Sequence, residues 1–257
     1  MPQPTSNAKH DAAADGGAHR GAPARRLLAT FLAVSGFVPG HATLARVAVM
    51  SASAALVYYL AHSRAGDQTL AIGYALGSIL CYVGFIFVVL RQNGLRHWFI
   101  KRWGEAHGYL AFEATLAFLF FHNAAAIGYV ATSSPGTMFS FIPRAVVVAL
   151  ATALFVVGIV TKLWAAMAVS VDIYYWKDMF LGRGVCAFVE TGPYKYLSAP
   201  MYGVGQLQAY AIAIWFGSPT GLAIAALNQC CVFLFYFAVE QGFIRRTYVQ
   251  GTGAAAA

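Results

Sequence analysis

Crossing a bilayer as a helix takes about 20 apolar residues at roughly 1.5 Å of rise each. Five stretches of the chain meet or approach that length: 44–61, 69–90, 106–131, 142–170 and 222–240. A sixth, 201–216, has room for only about 24 Å of helix and is cut from the last by Gly217-Ser218-Pro219-Thr220-Gly221. It either borrows turns from the loop before Pro200 or stops short of the far side. The pattern predicts an all-α fold, a polytopic transmembrane bundle of about six membrane helices with a short fifth one. Residues 1–26 are rich in Ala, Gly and small polar residues and read as a disordered tail. Arg25-Arg26 and the apolar run 27–38 have the length of a signal sequence. A long polar tail precedes them, however, and no small-x-small cleavage site follows, so an interfacial helix or a short first element is expected. Residues 27–249 form a single transmembrane domain in this reading, and 250–257 a frayed tail. No internal repeat of the transporter kind is visible.

Composition agrees with the pattern. Hydrophobic residues make up 60% of the 257 and charged ones 10%, far from the balance of a soluble domain. The net charge of +8 would point to nucleic acid in a soluble chain. Here the basic residues lie between apolar spans, where lipid head groups and the positive-inside bias account for them, and no nucleic-acid partner is expected. Of the 17 lysines and arginines, all but Arg64 and Arg144 are assigned to one side of the predicted bundle, Arg46 and Lys162 from within the spans 44–61 and 142–170 and the rest from loops and tails. Both termini and the loop 190–205 are therefore expected in the cytoplasm. Cys81, Cys230 and Cys231 sit in apolar runs and Cys186 in a loop, with no CxxC pair. Neither disulfide nor metal site is indicated.

Ionisable groups at membrane depth are functional candidates. Glu113 and His122 lie nine residues apart in one span, which at 100° per residue puts them on opposite faces, so they form no acid–base pair. His122 reads first as an interhelical hydrogen bond, and Glu113 sits toward the cytoplasmic interface. Gln229, Phe233, Tyr236 and Glu240 line one polar, aromatic face of the last span. Tyr202, Gly205, Gln206, Ala209 and Ala213 make a face of small residues that packs against it. Such packing brings Tyr202 and the turn at 192–196 toward Glu240. Motifs of hydrolases, zincins and nucleotide-binding loops are absent. A glycine turn, tyrosine rings and a carboxylate suit a cationic, polar cofactor, since aromatic faces attract a sulfonium or ammonium.

The block GPYKYLSAPMYGVG at 192–205, then SPTGL and FAVEQGFIRRTYVQ, resembles the C-terminal half of the phosphatidylethanolamine N-methyltransferases, which are related to the isoprenylcysteine carboxyl methyltransferases. The resemblance covers roughly 177–250; upstream only hydropathy agrees. It implies S-adenosylmethionine as cofactor, framed by Gly192, Pro193, Tyr194, Tyr196, Pro200, Met201, Tyr202, Gly203 and Gly205, with Glu240 and Gln241 holding its amino or ribose end. Ala199 stands where many relatives carry His or Asn, and Gln241 where many carry a second acid. Glu240 or Glu190 would accept the proton of an amine, and Lys195, Arg245 and Arg246 would hold a lipid phosphate. The implied reaction is methylation of phosphatidylethanolamine or its mono- and dimethylated forms. A prenylcysteine carboxylate or another lipophilic acceptor is the alternative, and a non-enzymatic scaffold or transporter a third. Family analogy places the chain in the endoplasmic reticulum of a eukaryote or the inner membrane of a bacterium, with the site facing the cytoplasm.

Overall fold

The computed structural model describes residues 23–38, 41, 43–184 and 189–250, and within them all regular structure is helical. The first helix, α1, spans Pro23–Val34, so it begins inside the stretch expected to be disordered; residues 1–22 and 251–257 lie outside the described residues, as does Cys186. Then come α2 (Leu44–Ser63), α3 (Gln68–Leu90), α4 (Arg96–Ser133), α5 (Arg144–Tyr174) and a single turn pair, α6 (Lys177–Leu181). After a loop follow α7 (Leu207–Trp215) and α8 (Pro219–Phe235), which runs on through a π-helical turn Tyr236–Glu240 into α9 (Gln241–Ile244) and a second π-helical stretch, Arg245–Gln250. Among the described residues, five helices are long and apolar enough to cross a membrane: Leu44–Ser63, Gln68–Leu90, Arg96–Ser133, Arg144–Leu181 and Pro219–Tyr248.

The ends of these helices follow local chemistry. Thr43, Asp67 and Ser218 cap α2, α3 and α8, each side-chain oxygen accepting a backbone N–H of the first turn. Two long helices contain a break close to the end of a predicted span, and both run on beyond it. Gly104, at φ 76°, separates the polar start of α4 from the span that was predicted to open at 106. Ser170, at φ 77°, interrupts α5 at the residue where the apolar run ends.

The short span differs most from expectation. Only Leu207–Trp215 is α-helical, nine residues, and Val204–Gln206 forms a 3-10 turn before it. The reason is local. Pro200 starts a turn in which Tyr202 and Gly203 both donate backbone N–H to the Ala199 carbonyl, and Gly203 at φ −85°, ψ −100° then leaves helical geometry. At about 1.5 Å per residue, α7 cannot cross the bilayer alone.

Close backbone approach seats α7. A Cβ on Gly158 of α5 would fall 2.6 Å from the Gln208 backbone nitrogen, so glycine is what lets α5 and α7 meet there. On the other side, Ala209 packs with Ile224 and Ala225 of α8. The small face predicted for this segment is thus shared between α5 and α8.

Polar groups at membrane depth are answered in pairs, as a medium without water demands. Tyr74 Oη of α3 lies 2.5 Å from His122 Nδ1, the interhelical bond expected of that histidine. Asn123 donates to Asn228 Oδ1 at 3.0 Å, joining α4 to α8. Glu113, 1% exposed, is a buried anchor. Arg46 of α2 donates to its Oε1 at 2.7 Å, and His41 Nδ1 lies 2.6 Å from its Oε2.

A buried pair that loses one member leaves an uncompensated charge, which costs about 3–5 kcal/mol. Glu113→Leu should therefore lower the thermal unfolding midpoint of the purified chain steeply, and Glu113→Leu combined with Arg46→Met should recover most of it. Equal midpoints for wild type and the single variant would show that the pair holds nothing.

Candidate functional site

The last helix presents one face to a single residue of the preceding loop. Gln229 donates to the Tyr202 carbonyl at 2.9 Å, the rings of Phe233 and Tyr236 stand edge-on to the Tyr202 ring at 6.4 and 5.7 Å, and the Tyr202 hydroxyl donates to Glu240 Oε2 at 2.7 Å. The face predicted from spacing alone is thus the face in use. Between Tyr236 and Glu240 the helix widens into a π turn, which alters the phase of the side chains beyond it; such turns gather at functional sites.

Around this contact lies a cavity of about 350 Å³, within the range of small-molecule sites. Tyr202 and Glu240 form part of its wall, together with Tyr194, Pro200, Met201 and Glu190. Glu190 is exposed, so one carboxylate of the wall is open to water. Burial, with Glu240 nearby, pushes the Tyr194 phenol well up, which keeps it neutral at physiological pH.

The opposite wall comes from the elbow between α5 and α6, which the sequence reading did not single out. Tyr174, Trp176 and Asp178 face the cavity from there, and Tyr248 of the C-terminal stretch hydrogen-bonds Asp178. The Trp176 indole is a close polar neighbour of Glu240. Trp176 has φ 52°, so it and Ser170 are non-glycine residues in the left-handed region, and both belong to the elbow. Backbone of that kind persists only where the surroundings hold it. Arg96 donates to the Met179 carbonyl at 2.9 Å, Arg183 grips Glu105 with two bonds at 2.9 and 2.7 Å, and Lys177 pairs with Asp172 at 2.8 Å. A sequence signal did exist: the apolar run of α5 ends in DIYYWKD, where three consecutive aromatic residues are flanked by charges at a helix end.

Other residues named from the sequence stand behind or beside the wall. Gly192, at φ 64°, supplies the turn that starts a 3-10 helix Gly192–Lys195, and Pro193 is buried beneath it. A Cβ on Gly205 would lie 3.1 Å from the Pro200 carbonyl oxygen, so that glycine permits the tight turn. Gly203 ends the turn, and Gln241 follows Glu240 without lining the cavity. Tyr196, Lys195, Arg245 and Arg246 are exposed and are absent from the wall, because the 3-10 turn and the final π stretch direct them outward. Among the described residues no cluster of His, Cys, Asp and Glu is arranged to hold a metal.

The assembled site offers three carboxylates, Glu190, Asp178 and Glu240, among the rings of Tyr174, Trp176, Tyr194, Tyr202 and Tyr236. Aromatic faces and carboxylates together favour a ligand that carries positive charge and hydrogen-bond donors.

Residues 146–251 match the family model for phospholipid methyltransferase. This region contains α5 from Val146 onward and every residue of the cavity wall. Neither the curated proteins nor the solved structures provide a match to the chain. A hydrogen bond to a charged group contributes about 1.5–3 kcal/mol, so Tyr202→Phe should lower the unfolding midpoint measurably while leaving the helical circular dichroism intact. An unchanged midpoint would mean that the hydroxyl does not anchor the loop to the last helix.

Proposed function

We propose that the chain is an integral-membrane methyltransferase that transfers the methyl group of S-adenosylmethionine to the amine of phosphatidylethanolamine or its mono- and dimethylated forms. The observation that carries this reading is the Tyr202–Glu240 hydrogen bond in the wall of a cavity made of carboxylates and aromatic rings, inside the segment that matches phospholipid methyltransferases.

The donor set fits S-adenosylmethionine. Glu240, oriented by the Tyr202 hydroxyl and flanked by Trp176, is placed to accept hydrogen bonds from an amino or ribose group. Asp178, tied to Tyr248, gives a second carboxylate at the other end of the wall. The rings of Tyr174, Tyr194 and Tyr236 offer faces to a sulfonium. When bound, S-adenosylmethionine supplies an activated methyl group, which the amine lone pair takes as the S–CH₃ bond breaks and its electron pair stays on sulfur.

The chain's work is mainly to position the two reactants and to receive a proton. A primary amine resembles lysine, with a pKa near about 10.4, so it enters mostly protonated and must lose that proton before it attacks. Glu190, exposed at the cavity wall, takes the proton and passes it to water. The excess of lysine and arginine on one side of the bundle supports a cytoplasmic opening for the site and cytoplasmic termini.

Membranes carrying the chain, incubated with methyl-labelled S-adenosylmethionine, should label mono-, di- or trimethylated phosphatidylethanolamine. Glu240→Ala should weaken donor binding, read by calorimetry, by about tenfold or more, the loss of a charged hydrogen-bond partner. Turnover should climb from pH 7 to pH 9 as the fraction of neutral amine rises; a carboxylate acceptor would show no such climb. Absence of lipid label together with absence of donor binding would remove the assignment.

A further inference from the structure

Three cavities share walls in a row that ends at Glu240. The first is a groove of about 290 Å³ between α1, α4 and α5, lined by apolar residues such as Phe31, Phe37, Phe121, Ala124 and Ile159 and by one cation, Lys162. A neck of about 40 Å³ shares Phe120 and Lys162 with the groove. The same neck shares Tyr174, Trp176, Met201 and Tyr202 with the cavity that holds Glu240. Polarity along the row therefore runs from apolar, through a single positive charge, to aromatic rings and carboxylates.

Lys162 stands at the junction and is 4% exposed. Among the described residues it has no ion pair and no hydrogen bond; its ammonium lies over the Phe120 ring, 5.6 Å from the centroid. An ammonium taken out of water without a counter-charge is costly, and one at membrane depth that lines a cavity marks a ligand path. Gln208, in the same groove, leaves its side-chain oxygen buried and without a partner. Its amide offers two N–H donors when turned. Removal of the charge alone does not explain why both groups open onto one groove.

The geometry points to Lys162 as the residue that binds the phosphate of the acceptor lipid. The phosphodiester pairs with the Lys162 ammonium, the amine reaches past Met201 and Tyr202 into the Glu240 cavity, and an acyl chain lies in the groove between α1 and α5. This assignment rests on the methyltransferase reading for its direction. A phospholipid presents chain, phosphate and amine in the order in which the row presents apolar wall, cation and carboxylates. The neck is small, and the flexible side chains of Met201 and Lys162 are the groups that must move to admit a headgroup. Lys195, Arg245 and Arg246 line none of the three cavities.

The test uses the full chain in lipid nanodiscs, with Lys162→Met, Lys162→Arg and Ala124→Trp. Ala124 is exposed at the groove, so its replacement fills the chain site without disturbing the lysine. For Lys162→Met the KM for phosphatidylethanolamine should rise about tenfold, as loss of a charge-assisted contact implies. The KM for a long-chain amine without phosphate, and donor binding by calorimetry, should stay within about twofold of wild type. Lys162→Arg should retain the preference for the phospholipid, and Ala124→Trp should weaken both acceptors alike. An unchanged ratio of the two acceptors in Lys162→Met overturns the assignment.

Native mass spectrometry separates this outcome from failure of the methyltransferase reading. If wild type binds no donor and methylates nothing, that reading falls; selective loss of phosphatidylethanolamine relative to diacylglycerol in Lys162→Met would still establish the lysine as a lipid-phosphate site. Equal retention of both lipids would overturn it. So would displacement of the lipid by inorganic phosphate alone, which would assign the site to a free anion.

Discussion

The hydrogen bond from Tyr202 to Glu240 joins two parts of the chain that are far apart in sequence. One is a loop that turns at Gly192 and Pro200, and the other is the end of the final apolar helix. A carboxylate in that position must be answered by donors or be pushed back to water. Answering it with a tyrosine from the loop places the turn, the last helix and the α5–α6 elbow around one cavity. The remaining contacts of the last helix reinforce the same residue: Gln229 holds the Tyr202 backbone, and Phe233 and Tyr236 hold its ring.

The same rule governs the rest of the bundle. Glu113, His122 and Asn123 each find a partner on another helix, and each bond ties α4 to a different neighbour: the segment around α2, then α3, then α8. Long helix α4 is thus a post to which the bundle is fastened at several depths. Lys162, by contrast, has no ion pair and no hydrogen bond among the described residues, its ammonium lying only over the Phe120 ring.

Among the described residues, the non-glycine positions with positive φ lie at and just before the elbow. Ser170 and Trp176 both have positive φ, and the helix between Tyr236 and Glu240 widens opposite them. These departures from regular helix bring Trp176, Asp178 and Glu240 to one cavity. The surface ion pairs Arg183–Glu105 and Lys177–Asp172 brace the elbow from the outside. Bracing of this kind is worth little as stability, but it restricts where the elbow sits.

Hydropathy by itself determined the helical class and located the long spans, because a bilayer imposes length and polarity directly on sequence; that α4 begins at Arg96 and that α5 runs on past Ser170 to Tyr174 it did not show. Spacing alone also identified the face from Gln229 to Glu240, since helical periodicity needs no partner to be read. Tertiary structure decided what lies opposite that face. The wall formed by Tyr174, Trp176 and Asp178 depends on a backbone turn at Trp176 that no propensity favours, and the outward course of Lys195, Arg245 and Arg246 depends on a 3-10 turn and a π stretch. The pairing of Glu113 was not legible because its partners, His41 and Arg46, lie about seventy residues away in sequence. Whether a buried charge is paired, braced or left open is a property of neighbours, and neighbours across helices are not written in any local stretch of the chain.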